Sequence, residues 1–273
     1  MEIPSAGAPI GIFDSGAGGL TVLREMQKMM PKENFIYFGD TARLPYGSKS
    51  RRAIARASLS VAHFLAEKGI KALVVACNSS SAAALGDIKE SVYPIPVLGV
   101  IEPGAQAAAR TLGPRGRVGV IGTRATIESG AYQRAVRALA SGAEIIAAAC
   151  PLFVPLVEEG WWNDDVTARV AARYLAPFKK IKVQTLILGC THYPLLKTVI
   201  RRELGPGVIL IDSARETAAQ AEVLLLEKKL KNPARRGFGK TVFFVSDGPR
   251  AFGDLAKKFL GQAVGRISLH DFE

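Results

Sequence analysis

Gly11–Gly19 reads GIFDSGAGG, and Gly119–Gly130 reads GVIGTRATIESG. Each is a short apolar run of strand type that gives way to a polar, glycine-bearing loop. The likeness continues downstream. Cys77 follows the run ALVVA at 72–76, and Cys190 follows TLILG at 185–189. VLGVIEP at Val97–Pro103 is then paralleled by ILIDSA at 209–214. Asp14 and Thr123, Cys77 and Cys190, and Glu102 and Asp212 stand 109, 113 and 110 residues apart. Three landmarks at nearly one offset mark an approximate internal duplication.

Working outward, β-branched runs alternate with longer amphipathic stretches. Strands are predicted at 10–13, 35–38, 72–76, 97–100, 118–121, 145–148, 185–188, 208–211 and 242–245. Helices are predicted over Ser48–Lys68, Ala82–Glu90, Ala125–Ala140, Asp164–Ala176, Pro194–Glu203 and Ser213–Lys229. In the first of these, Ser48 is the expected N-cap and Gly69 the stop. Apolar strands alternating with helices imply an α/β fold of mostly parallel sheets covered on both faces. Combined with the duplication, this predicts two pseudo-symmetric α/β lobes facing across a cleft. The first lobe takes residues 1–100 with 213–273 and carries Cys77. The second takes 101–212 and carries Cys190. The tail is assigned to the first lobe because the second is complete by the repeat count. Ligands of such sheets gather where strands end and loops begin.

Composition narrows the classes. Among 273 residues, 48% are hydrophobic, enough for a sizeable core, yet no uninterrupted apolar run reaches membrane-spanning length. The opening MEIPSAGAPI lacks a basic segment followed by an apolar stretch and does not read as a secretory signal. Three cysteines, an odd number, argue against a disulfide framework and for the reducing cytoplasm. The net charge of +12 arises from scattered residues with short clusters at 49–52, 179–182 and 228–236. None is interleaved with aromatics, so a basic surface that favours anionic substrates is preferred to a nucleic-acid platform.

Two cysteines carry the chemistry. Cys77-Asn78-Ser79 follows a buried-looking strand and precedes a helix, where the dipole and free N–H groups favour a thiolate. Gly189-Cys190-Thr191-His192 repeats that context, with an imidazole two residues away. A lone free cysteine is most often a small buried hydrophobe, and that role is assigned to Cys150. Two cysteines at matched repeat positions are not two independent accidents. Asp14, in the glycine-rich loop, is placed to activate a base, bind an ammonium or cap a helix. That loop lacks the full G-x-G-x-x-G spacing, so a dinucleotide site is rejected. The glycines are read as allowing close backbone approach to a carboxylate. Glu158 and Glu159 read as a solvent-facing helix start. There is no zinc spacing, no complete phosphate loop and no Schiff-base lysine, so neither metal nor cofactor is expected.

Two opposed cysteines suit inversion of an α-carbon. One base removes a proton from one face while a second acid delivers a proton to the other. A thiol, with an ordinary pKa of ~8.5, works near neutrality. At this point FDSGAGGLTVL, GDTARLPYG, ACNSSSA, GVIEPG, VPLVEEG and LGCTHYPLL, spread from residue 13 to about 196, become informative. The chain resembles the glutamate racemases of the aspartate/glutamate racemase superfamily. The resemblance implies two pseudo-symmetric lobes, no cofactor, L- and D-glutamate as ligands, and a role in supplying D-glutamate for peptidoglycan and cell shape. It implies that Cys77 acts on D-glutamate with help from Asp14, and Cys190 on L-glutamate with help from Glu158 and His192. Asp14, Ser15, Pro45, Tyr46, Gly47, Asn78, Ser79, Thr123, Thr191 and His192 would hold the substrate. No nucleic acid or membrane is required, and a homodimer is compatible. The family's usual Thr-Ala after the asparagine is Ser79-Ser80 here, which keeps the hydroxyl at 79. Three rivals stay open: a racemase of aspartate, a hydrolase using Cys190 and His192 alone, and a basic nucleic-acid-binding protein.

Overall fold

The computed structural model describes residues 5–233 and 237–272. Residues 1–4 of the N-terminal stretch, Arg235 and Arg236 of the basic cluster at 228–236, and Glu273 lie outside it. Ten strands are described: β1 Ile10–Asp14, β2 Phe35–Gly39, β3 Ala72–Val75, β4 Val97–Gly99, β5 Arg117–Gly122, β6 Glu144–Ala149, β7 Thr185–Gly189, β8 Ile209–Asp212, β9 Thr241–Val245 and β10 Ile267–Leu269. One sheet runs β10-β9-β2-β1-β3-β4 and the other β6-β5-β7-β8. Every adjacent pair is parallel. The order β2-β1-β3-β4 recurs as β6-β5-β7-β8, so the duplication read in the sequence is a duplication of topology. In that match β3 is the equivalent of β7, the strands preceding Cys77 and Cys190, and β1 is the equivalent of β5.

Parallel strands need covering on both faces, and β1, β2, β3 and β7 are wholly buried. The helix Leu20–Met29 packs against Ser213–Glu227 and Pro249–Leu260. One apolar cluster runs from Ile12 and Val74 under the first sheet through Tyr193 and Leu196 to Leu186 and Leu188 of the second. The two sheets therefore share a core as well as a cleft.

Several local readings are corrected. Helix Arg51–Glu67 is capped by Ser50, whose hydroxyl accepts from Ala53 N at 3.3 Å, and Ser48 instead ends the short 3-10 turn Tyr46–Ser48. The stretch 125–140 is two helices, Arg124–Glu128 and Ala131–Leu139, broken by Gly130 at φ +66°. Glu158 closes a helix, Phe153–Glu158, and does not begin one. Helices Leu20–Met29, Ile101–Thr111 and Pro249–Leu260, and strand β10, are additions to the sequence reading. Pro103 falls in the first turn of Ile101–Thr111, where a missing N–H costs nothing.

Beneath β3 and β2 lies a buried ion pair. Lys71 donates to Glu33 and to Ala6 O at 2.6 Å, and Glu33 also accepts from Asn232 N at 2.8 Å. Both side chains are almost wholly shielded from solvent. Lys71→Ala leaves Glu33 buried and unpaired, and is expected to lower unfolding free energy by about 3–5 kcal/mol. The double replacement Lys71→Met with Glu33→Leu is expected to cost much less, because no buried charge remains. Urea denaturation of the three proteins checks both outcomes.

Candidate active site

In open parallel sheets the loops diverge at the carboxyl ends of the strands where the winding reverses, here between β1 and β3 and between β5 and β7. Both sheets turn those ends toward one cavity of about 370 Å³. Cys77 follows β3 and Cys190 follows β7, and both sulfurs line it. Both side chains are buried, and neither is in a disulfide.

On the first-lobe side, Cys77 is the N-cap of helix Asn78–Ser91. Its Sγ lies 3.7 Å from Ser15 Oγ. Burial pushes the thiol up to about 11, the nearby Asp14 carboxylate adds to the rise, and hydrogen bonds from Ser80 and Ser15 offset part of it. Asp14 ends β1, is fully buried, and does not itself line the cavity. It accepts from Gly16 N at 3.0 Å and from Thr191 Oγ1 at 3.4 Å. Burial raises its pKa, and the positive charge of His192 and the surrounding donors pull it back.

The second-lobe side is built differently. Cys190 caps no α-helix; a 3-10 turn, Tyr193–Leu196, separates it from helix Lys197–Leu204. The dipole argument therefore applies to Cys77 and not to Cys190. In its place stands a side-chain relay. Cys190 Sγ is 3.8 Å from His192 Nδ1, and His192 Nε2 is 3.0 Å from Glu158 Oε1. Burial alone would lower the imidazole's pKa, but its hydrogen bonds to Cys190 and Glu158, with the negative charge there, carry it up to about 10. Glu159, next in sequence, points into solvent. The tail helix buttresses this relay: the Phe259 ring meets His192 edge-on at 5.6 Å, and Lys258 Nζ donates to Glu158 O at 3.4 Å.

Gly18 of the glycine-rich loop makes room for the other lobe. A Cβ on Gly18 would lie 2.3 Å from Thr191 Oγ1 and 2.5 Å from His192 Cε1. Gly18 thus admits the loop 190–192 of the other lobe. Thr21 Oγ1 secures the same loop through Thr191 O at 3.2 Å.

Ser15, Pro45, Tyr46, Gly47, Asn78, Ser79, Thr123, Thr191 and His192 all line the cavity, as does Glu158. Ser79 and Thr123 hydroxyls meet at 2.9 Å from opposite lobes. The Tyr46 hydroxyl turns away to Asp40, which is also held by Ser246 Oγ at 2.7 Å and Arg43 Nε at 2.8 Å. Tyr46 therefore shapes the wall with its ring. Leu44, Ser48, Arg124, Pro151, Val154 and Pro155 also line the space. Arg124 is the notable addition, a cation beside Thr123. In a chain with 36 Lys+Arg, one more arginine carries no signal in the sequence.

Fold and site together define an amino-acid racemase, and the chain belongs to the Asp/Glu/Hydantoin racemase family, whose model matches residues 10–221. Relatives 43–50% identical to it over more than nine-tenths of its length are glutamate racemases. It is 50% identical to the glutamate racemase of Geobacter metallireducens over 258 residues, 94% of each chain. The structure superposes on that of Francisella tularensis glutamate racemase in complex with D-glutamate with a TM-score of 0.91, at 37% identity, covering 97% of this chain and 98% of the other. For the Thermus thermophilus enzyme in complex with beta-chloro-D-alanine the TM-score is 0.88, at 48% identity and 98% coverage of both chains. No helix among the described residues is long and apolar enough to cross a membrane.

The His192 shift has a consequence for stability. Its folded-state pKa lies above the unfolded value of about 6.5, so the native protein holds the proton more tightly than the unfolded chain. That contribution is full below about pH 6.5 and is lost as pH rises through about 10. The stability advantage over a His192→Gln variant, followed by urea unfolding from pH 6 to pH 10, is expected to shrink as pH rises. An advantage that grows with pH contradicts the protonated imidazole.

Proposed function

We propose that this protein interconverts L- and D-glutamate without a cofactor, using Cys77 and Cys190 as the two proton-transfer groups. The supporting observation is that two buried cysteines from equivalent strands of the two sheets line one cavity, each with its own polar partners. One sulfur takes the α-proton from one face as the Cα–H electron pair moves toward the carboxylate. The other sulfur returns a proton to the opposite face. Each turnover leaves the protonation of the two sulfurs exchanged. At rest the high pKa of Cys77 keeps it a thiol, an acid ready to give a proton. Cys190 sits beside a cationic imidazole. In this scheme Cys190 receives the proton of L-glutamate, and Cys77 that of D-glutamate in the reverse reaction. Asp14 acts through Thr191 and the loop around Cys77, and Glu158 orients His192.

The similarity to a glutamate racemase solved with D-glutamate supports the choice of substrate. The product would serve peptidoglycan synthesis. We place the protein in the cytoplasm, where three unpaired thiols stay reduced. We assign residues 1–100 with 213–273 to the first lobe and 101–212 to the second, on the strand membership of the two sheets.

Cys77→Ala and Cys190→Ala are each expected to abolish racemisation, followed by circular dichroism of glutamate, while the fold is kept. Serine variants that retain slow exchange in deuterium oxide should divide by face. Cys190→Ser should wash out the α-proton of D-glutamate, and Cys77→Ser that of L-glutamate. Near-normal racemisation by Cys77→Ala contradicts the two-cysteine scheme.

Glutamate is expected to exceed aspartate in kcat/KM. A shorter side chain strands polar groups that meet the distal carboxylate, at about 1–3 kcal/mol each, or roughly fivefold to a hundredfold. Steady-state kinetics on both amino acids reads this directly, and equal values contradict it.

A further inference from the structure

Tyr132 is wholly buried at the start of the second-lobe helix Ala131–Leu139, and the proton-transfer scheme does not use it. Its hydroxyl donates to Asn78 Oδ1 at 2.7 Å, reaching across to the first lobe. The ring is slotted against Gly189, where a Cβ would come within 3.0 Å of Tyr132 Cε2. Tyr132 therefore touches the residue after Cys77 and the residue before Cys190.

Asn78 lines the cavity and is 2% exposed. Its Nδ2 is buried with no hydrogen-bond partner among the described residues. A buried donor without an acceptor is costly, and native proteins leave few of them. A carboxamide has one acceptor end and one donor end, and it can turn over about its last torsion. A donor held at Oδ1 decides which end is which. Nδ2 can only donate, so any partner that a molecule bound in the cavity offers it must be an acceptor. On an amino-acid substrate the acceptors are carboxylate oxygens.

We propose that Tyr132 is a positioning residue: its hydroxyl locks the Asn78 carboxamide so that Nδ2 donates to a carboxylate of the substrate. This rests on the racemase reading above. The lock spans the lobes, so the same bond that orients the amide also fixes the Cys77 loop relative to the Cys190 loop.

Tyr132→Phe removes one oxygen and keeps the ring in its slot. KM for both enantiomers is expected to rise roughly three- to tenfold, the weight of one ordinary hydrogen bond, with a smaller change in kcat. Asn78→Ala should raise KM at least as much, and the double variant should be no worse than Asn78→Ala alone. Unchanged KM in Tyr132→Phe, or effects that multiply in the double variant, overturns the proposal. Should Tyr132→Phe fail to fold, Asn78→Asp carries the kinetic test. It keeps an acceptor for Tyr132 and deletes the donor, so KM rises, and an unchanged KM overturns the proposal. The Asn78 side-chain NH2 signals in a nitrogen-15 spectrum, identified by their loss in Asn78→Ala, separate this inference from the racemase reading. If the unmodified protein fails to racemise glutamate, that reading falls. The free-protein signals still decide the lock: displacement in Tyr132→Phe supports it, and coincidence with the unmodified protein refutes it.

Discussion

The site depends on a steric allowance at Gly18. Two sheets with separate strand ladders meet along the carboxyl ends of their strands, and the loop carrying Cys190, Thr191 and His192 must come within contact of the loop after β1. A methyl group at residue 18 would occupy the position of the Thr191 hydroxyl and the His192 ring. Because it is absent, Thr191 reaches Asp14 and His192 settles over Cys190. Elsewhere between the lobes the Ser79 and Thr123 hydroxyls meet.

Equivalent positions do not mean equivalent chemistry. Cys77 sits at a helix N-terminus yet is driven toward the thiol by burial and by Asp14. Cys190 has no such helix and relies on the imidazole between it and Glu158. A reaction that removes a proton on one side and supplies one on the other needs unlike partners at any instant. The duplicated fold supplies matched places, and the divergent loops supply the difference. The tail helix Pro249–Leu260 adds to that difference by bracing His192 and the end of the Phe153–Glu158 helix.

The two-lobe architecture was legible because it repeats. The offsets among Asp14, Cys77, Glu102 and their partners anticipate the recurrence of β2-β1-β3-β4 as β6-β5-β7-β8. Elements with conflicting local signals were not legible. Helix Leu20–Met29 follows a run of glycines, and Ile101–Thr111 carries Pro103 and Gly104 in its first turn. The single helix read over 125–140 ignored Gly130, whose positive φ breaks it.

Of the site, the sequence determined which residue types are present at strand ends: two cysteines, an aspartate, a histidine, and hydroxyls in glycine-bearing loops. Local pattern carries that information, since a strand's apolar run and the loop that stops it are neighbours in the chain. Partnerships across the lobes came only with the tertiary structure. Tyr132 is an ordinary helix aromatic in sequence, Arg124 one basic residue among many, and Glu158 one of two adjacent glutamates. Their roles depend on distances between residues far apart in the chain, and such distances exist only once both sheets share a core and the loops close around one cavity.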